Sequence, residues 1–134
     1  MEYVLSAEGL SKQYRGFKAL NGLSIHVRKG AVYGLVGKNG AGKTTLIRLI
    51  CGLQRPTSGT YSLYGIPHSD SGMSKSRRRM GAVVETPSIY LDMTAEENLR
   101  EQYRILGLPS FDWIPELLEL VGLSGTGRKK ARHF

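Results

Sequence analysis

The sequence predicts an α/β domain that leads into a helical segment, and three observations predict it. Residues 31–36 are apolar at nearly every position, as in a strand that is buried on both faces of a parallel sheet. A glycine-rich segment and an apolar helical stretch follow this strand, which makes a β-α unit. The predicted strands lie before residue 85 and the remaining predicted helices after it.

Alternating apolar residues predict the first two strands. Residues 3–7 and 22–27 show this alternation, so both strands are expected to be half exposed, with a turn at 28–30. Residues 43–51 then predict a helix whose apolar positions include Leu46 and Leu49. Gly52 stands just past the end of this helix, where glycine is favoured.

The second half of the chain changes from strands to helices. Residues 60–64 predict a short alternating strand and, after a polar connector, residues 80–84 predict another. Residues 94–97 form a capping box, which predicts a helix that runs to about residue 106 and ends at Gly107. A further helix is expected over about 112–121.

Composition favours a soluble globular protein. The chain is 40% hydrophobic and 22% charged, and no apolar run approaches the roughly 18 to 20 residues that a membrane span requires. The first residues lack the basic and apolar regions of a signal peptide, so secretion is not expected. Cys51, the single cysteine, has no internal disulfide partner and is interpreted as a small buried hydrophobe.

The formal net charge of +8 raises the question of nucleic-acid binding. Much of the excess lies in two clusters, 77–79 and 128–132, which lack the interleaved aromatic residues that stack on bases. We therefore interpret the clusters as solvated faces and expect no nucleic-acid partner.

Residues 37–44 match the phosphate-binding pattern G-x-x-x-x-G-K-[ST], the P-loop. Its glycines allow backbone conformations in which consecutive N–H groups turn toward phosphate oxygens. The helix that follows adds the positive end of its dipole. Lys43 is predicted to reach the β- and γ-phosphates, Thr44 to bind Mg²⁺, and Thr45 to help hold the phosphates. The predicted nucleotide-binding residues of the loop are Gly37, Lys38, Asn39, Gly40, Ala41, Gly42, Lys43, Thr44 and Thr45.

The wider sequence resembles the nucleotide-binding domain of an ABC transporter, particularly of the antibiotic-export or lantibiotic-immunity type. The resemblance rests on residues 10–14, 20–24, 34–45 and 53–59. It implies a P-loop NTPase core with antiparallel N-terminal strands and part of a helical lobe. The implied boundaries are 1–90 for the core and 91–134 for the partial helical subdomain, within one ABC ATPase domain.

The resemblance also assigns two residues outside the loop. Tyr14 stands where the family places an aromatic residue that stacks on adenine. Glu85 stands where the family has a glutamine that binds Mg²⁺ and senses the γ-phosphate, and a carboxylate can also bind Mg²⁺. The implied cofactors are ATP and Mg²⁺. Trp113, in the helical part that docks on transmembrane subunits in the family, is expected in the core.

The family's Leu-Ser-Gly-Gly-Gln-like signature, Walker B strand, catalytic glutamate and switch histidine find no match in the sequence. The resemblance thus implies a domain truncated before these motifs, without a complete catalytic set. Phosphoryl transfer depends on positioned charges, metal and water, so the chain is expected to bind ATP far better than it hydrolyses it. An apolar strand with few neighbours also predicts an open edge, aggregation and marginal stability.

The expected function is that of an ATP-binding subunit of an ABC-type exporter. It would lie in the cytoplasm at the inner face of the membrane, with transmembrane subunits and a second ATPase subunit as partners. A non-hydrolysing nucleotide-binding or interfering partner of a full-length ABC ATPase is the alternative. A small P-loop kinase or GTPase is disfavoured, because no Asn-Lys-x-Asp motif for guanine is present.

Overall fold

The computed structural model describes residues 2–38, 42–84 and 88–134. The chain forms two compact units, Met1–Thr86 and Pro87–Phe134, and each is described by itself. Glu85 and the loop residues Asn39, Gly40 and Ala41 lie outside the described residues.

The first unit is built on an antiparallel sheet of four strands in the order β2-β1-β3-β4. The strands are β1 (Tyr3–Tyr14), β2 (Phe17–Arg28), β3 (Ser58–Leu63) and β4 (Ile66–Pro67). The three alternating strands predicted from the sequence are therefore confirmed. The first two are longer than predicted, because they continue to a tight turn at Arg15 and Gly16.

Helix α1 (Lys43–Ile50) packs its apolar side chains into the core of this unit. Leu46 and Leu49 are buried there, beside Leu10 of β1 and Tyr61 of β3. The predicted helix is confirmed, and Gly52 follows it with a φ of 79°, in the left-handed region that favours glycine. A short helix that the sequence did not predict, α2 (Met73–Arg77), adds the buried side chain of Met73.

Two predicted strands are wrong: the strand over 31–36, which was expected in a parallel sheet, and the strand over 80–84. Residues 31–36 and 80–84 form no strand, and Val32 and Val36 are fully exposed. A strand that is apolar on both faces requires hydrogen-bonded neighbours at its edges, and none of the described strands pairs with either segment. The expected open strand edge is therefore not formed by residues 31–36, although Val32 and Val36 expose apolar side chains in the first unit.

The second unit contains α3 (Ala95–Leu106), α4 (Ile114–Leu120) and a short 3₁₀ helix (Ala131–His133). The capping box is confirmed: Thr94 Oγ1 accepts a hydrogen bond from Glu97 N, and Glu97 Oε2 accepts one from Thr94 N, both at 3.1 Å. Gly107 ends α3 with a φ of 68°. The placement of Trp113 in the core was wrong, because this side chain is 65% exposed while the adjacent Ile114 is buried.

The basic clusters also differ from the prediction of purely solvated faces. Arg77 is half-buried and donates hydrogen bonds to Ile50 O and Tyr61 Oη. Lys130 and Arg132 both contact Asp92. Among the residues described here, no helix has the length and apolar character needed to cross a membrane.

Candidate functional site

The amino end of α1 is the centre of the candidate site. Gly42 precedes this helix with a φ of 97°, no described side chain caps the helix, and its first turn contains no acidic residue. The first helical hydrogen bond runs from Leu46 N to Gly42 O at 2.9 Å. Because the N–H groups before this bond have no partner within the helix, this end suits an anionic ligand.

Lys43 lies at the first position of α1, and its side chain reaches Gly37. Its Nζ donates a hydrogen bond to the carbonyl oxygen of Gly37. The lysine therefore spans the described ends of the glycine-rich segment, where its ammonium group could contact phosphate oxygens. Lys38 is exposed.

Close backbone packing fixes where α1 begins. A Cβ added to Gly42 would lie 2.4 Å from Ala19 O and 3.1 Å from Leu20 Cδ1, both in β2. Only glycine fits this approach, and the positive φ imposes the same requirement. The amino end of the helix is therefore held directly against the β1–β2 hairpin.

Tyr14 lies at the turn of the same hairpin. It pairs with Phe17 across the strands, and the two ring centroids are 5.6 Å apart. Its hydroxyl donates to Gln54 Oε1 at 2.5 Å, and Lys12 Nζ lies 5.5 Å from the ring centroid. The ring is thus held in place while remaining half exposed.

The hairpin register brings Tyr14 and α1 together. Ala19, which contacts Gly42, is two residues from Phe17, or about 7 Å along a strand at roughly 3.3 Å per residue. The distance between the Tyr14–Phe17 pair and the candidate phosphate site at Gly42 is therefore short enough for one nucleotide to span. Sequence reasoning missed Phe17 and Gln54 here; the first could have been found by extending the strand alternation to the Arg15-Gly16 turn.

Hydroxyl groups at the start of α1 are the described candidates for contact with a metal. Thr44 is half-buried and Thr45 is buried. Within 2–38, 42–84 and 88–134, no group of three or more His, Cys, Asp or Glu side chains could hold a metal ion. Mg²⁺ usually keeps several waters and takes few protein ligands beside substrate phosphates, so Thr44 fits such a site. The predicted ligand Glu85 lies outside the described residues.

Comparison with solved structures defines the class of fold. An ATP-binding subunit of an ABC transporter superposes with a TM-score of 0.81 at 32% identity, over 98% of this chain and 55% of that chain. CbiO1 of Clostridium perfringens, part of the transporter complex CbiONQ, gives 0.79 at 23% identity and supports the fold alone. The predicted fold class is confirmed: the chain forms part of an α/β P-loop NTPase fold.

Sequence comparison then gives the family. The sequence model of the ABC transporter family matches residues 20–134. The bacitracin transport ATP-binding protein BcrA of Bacillus licheniformis is 38% identical over all of this chain, and that of Enterococcus faecalis is 39% identical over 96% of it. The chain belongs to the ABC transporter family, as the resemblance implied. It spans 44% and 42% of the length of these two relatives.

Proposed function

We propose that this chain is the nucleotide-binding portion of the ATP-binding subunit of an ABC-type exporter. The observation that carries the proposal is the uncapped, acid-free start of α1, held by Gly42 against the hairpin that presents Tyr14. In the proposed complex, adenine stacks on Tyr14 and the phosphates lie against the loop and the first turn of α1. Residues 1–90 would form the nucleotide core and 91–134 part of the helical subdomain.

The remaining residues of the proposed site contact either the phosphates or Mg²⁺. Lys43 would contact the β- and γ-phosphates, Thr44 would hold Mg²⁺, and Thr45 would support the phosphate side. Glu85 is the further proposed metal ligand. The bound Mg²⁺ would neutralise phosphate charge. Because the proposed site lacks a described catalytic base, we expect this chain alone to release little or no phosphate.

The relatives support a proposal about the partners and the substrate class. Both BcrA relatives are named bacitracin transport ATP-binding proteins. These names support the proposal that this subunit takes part in antibiotic export. We propose transmembrane subunits and a second ATPase subunit as partners, at the cytoplasmic face of the membrane.

Titration of a fluorescent ATP analogue in the presence of Mg²⁺ tests the phosphate end of the site. Lys43→Ala removes charge-assisted hydrogen bonds to phosphate, so affinity should fall about 10- to 100-fold. Lys75→Ala is the matched control, because Lys75 is an exposed lysine on α2. A folded wild-type chain that binds no nucleotide refutes the proposal, as does equal binding by the Lys43→Ala variant.

The adenine end has its own pair of variants. Tyr14→Ala removes the stacking surface and should weaken binding about 5- to 100-fold, from the usual contribution of a stacked base. Tyr14→Phe keeps the ring and removes only the hydroxyl bonded to Gln54, so affinity should stay within about threefold. Equal loss in both variants would show that the hydroxyl, rather than the ring, supports binding. Phosphate release is measured on the same samples.

A further inference from the structure

The carboxyl end of α1 is held by two side chains from other elements. Arg77 Nε donates to Ile50 O at 3.1 Å, and Arg77 Nη2 donates to Tyr61 Oη at 2.7 Å. The Tyr61 hydroxyl in turn donates to Leu49 O at 2.7 Å. The last carbonyl groups of a helix have no intrahelical partner, and Arg77 supplies a donor to one of them, Ile50 O. The Tyr61 hydroxyl is a second donor to Leu49 O, which also accepts from Gly52 N at 3.1 Å. We call this arrangement the α1 clamp.

His68 and Gly52 accommodate the two side chains of the α1 clamp. Tyr61 is 2% exposed, and its ring stacks on His68 with centroids 4.9 Å apart and an interplanar angle of 17°. A Cβ added to Gly52 would lie 2.6 Å from Arg77 Cζ. The glycine that ends the helix therefore also admits the guanidinium group.

The clamp combines hydrogen bonding with a favourable charge. A cation beside the carboxyl end of a helix interacts favourably with the helix dipole, and hydrogen bonds from a charged donor are stronger than neutral ones. Arg78, the next residue, is exposed and only its backbone caps α2. The position of Arg77, and not the charge of the basic cluster as a whole, therefore gives it this contact.

We infer that Arg77 is a positioning residue of the nucleotide site, an inference that rests on the proposed function above. The helix is held at its amino end by Gly42 against Ala19 O and at its carboxyl end by the clamp. An eight-residue helix is about 12 Å long, so a tilt of about 10° moves one end by about 2 Å relative to the other. Such a shift exceeds the roughly 0.5 Å within which a binding site must be held.

Amide hydrogen exchange tests the clamp without nucleotide. Arg77→Gln should accelerate exchange about 10-fold at Cys51 and Gly52, whose N–H groups donate to Ile47 O and Leu49 O. It should also accelerate exchange at Leu46, which donates to Gly42 O at the amino end. Amides of the β1–β2 hairpin should keep their protection, which separates loosening of α1 from global unfolding.

Nucleotide affinity tests the functional consequence on the same samples. Arg77→Gln should weaken binding of the ATP analogue about 3- to 10-fold, with Arg77→Lys recovering part of the loss because it keeps the charge and one donor. Arg78→Gln, the matched control, should change neither exchange nor affinity. Tyr61→Phe removes only the bridging hydroxyl and should loosen the same amides, which keeps the test available if Arg77→Gln does not fold.

Each outcome decides a separate point. Faster exchange at both ends of α1 with weaker nucleotide binding supports the inference. Unchanged exchange at Leu46, or unchanged affinity in a wild-type background that binds ATP, overturns it. If the wild-type chain binds no ATP, the proposed function and the positioning role fall together. Exchange in the Arg77→Gln chain then still decides whether the clamp holds α1.

Discussion

Substitution of Gly42 by alanine tests the backbone geometry on which the candidate site depends. The φ of 97° at this position is one that residues with a Cβ rarely adopt, and the resulting strain costs about 1 to 2 kcal/mol. The added Cβ would also lie 2.4 Å from the backbone oxygen of Ala19, between Lys18 and Leu20, which both pair with β1. Overpacking of this kind adds about 1 to 3 kcal/mol.

A second glycine separates these two contributions. Gly65 has a φ of 79° in the turn between β3 and β4, and a Cβ there would meet no atom within 4 Å. Gly65→Ala should therefore lower the free energy of unfolding by the cost of backbone strain alone. Gly42→Ala should lower it by about 1 to 3 kcal/mol more. Urea unfolding followed by circular dichroism should place the two midpoints about 1 M apart.

Nucleotide binding gives the second readout of this pair. Relief of the clash moves the start of α1 away from the hairpin, so Gly42→Ala should weaken binding of the ATP analogue by about 10-fold or more. Gly65→Ala should bind as the wild type does. Equal midpoints for the two variants would refute the argument from close approach, because the strain would then account for the whole effect.

Four further predictions concern the rest of the chain. Thr94→Ala removes the capping box and should cost about 1 kcal/mol in the urea unfolding of the second unit, whereas Ser124→Ala, at an exposed position of the same unit, should cost less. Burial raises the pKa of the Cys51 thiol and Arg77 partly offsets this, so alkylation should be slower in the native chain than in urea. The free energy of unfolding should also fall as pH rises through the ordinary thiol range, because the unfolded chain loses the proton first. Val32→Lys should reduce light scattering more than Ser74→Lys, since both sites are exposed and only the first is apolar.

Elements with local signals could be predicted from the sequence. The capping box at Thr94, the glycine after each of the first two long helices, and the alternation in the first two strands each depend on neighbouring residues, and the structure agrees with all of them. Helix α2 and strand β4 carry weak local signals because they are five and two residues long. Their formation depends on tertiary contacts such as the burial of Met73, which no short pattern reports.

The candidate site also contains some features that a local sequence pattern predicts and others that depend on tertiary contacts. The residues of the phosphate-binding loop follow from a single motif, but the proximity of Tyr14 to Gly42 depends on a hairpin register and a backbone contact with Ala19. Arg77 was grouped with its neighbours as a solvated charge, since sequence reasoning had no means to separate it from Arg78. Only the path of β3, which carries Tyr61 beneath the end of α1, distinguishes the two.

The wrong strand at 31–36 was predicted from a continuous apolar run. Such a run indicates that a segment is suited to burial on both faces, but it does not identify the neighbours that bury it. The four described strands pair with one another and with neither 31–36 nor 80–84. Val32 and Val36 are therefore exposed to solvent. The exposed side chains of Val32 and Val36 are also the reason to expect self-association.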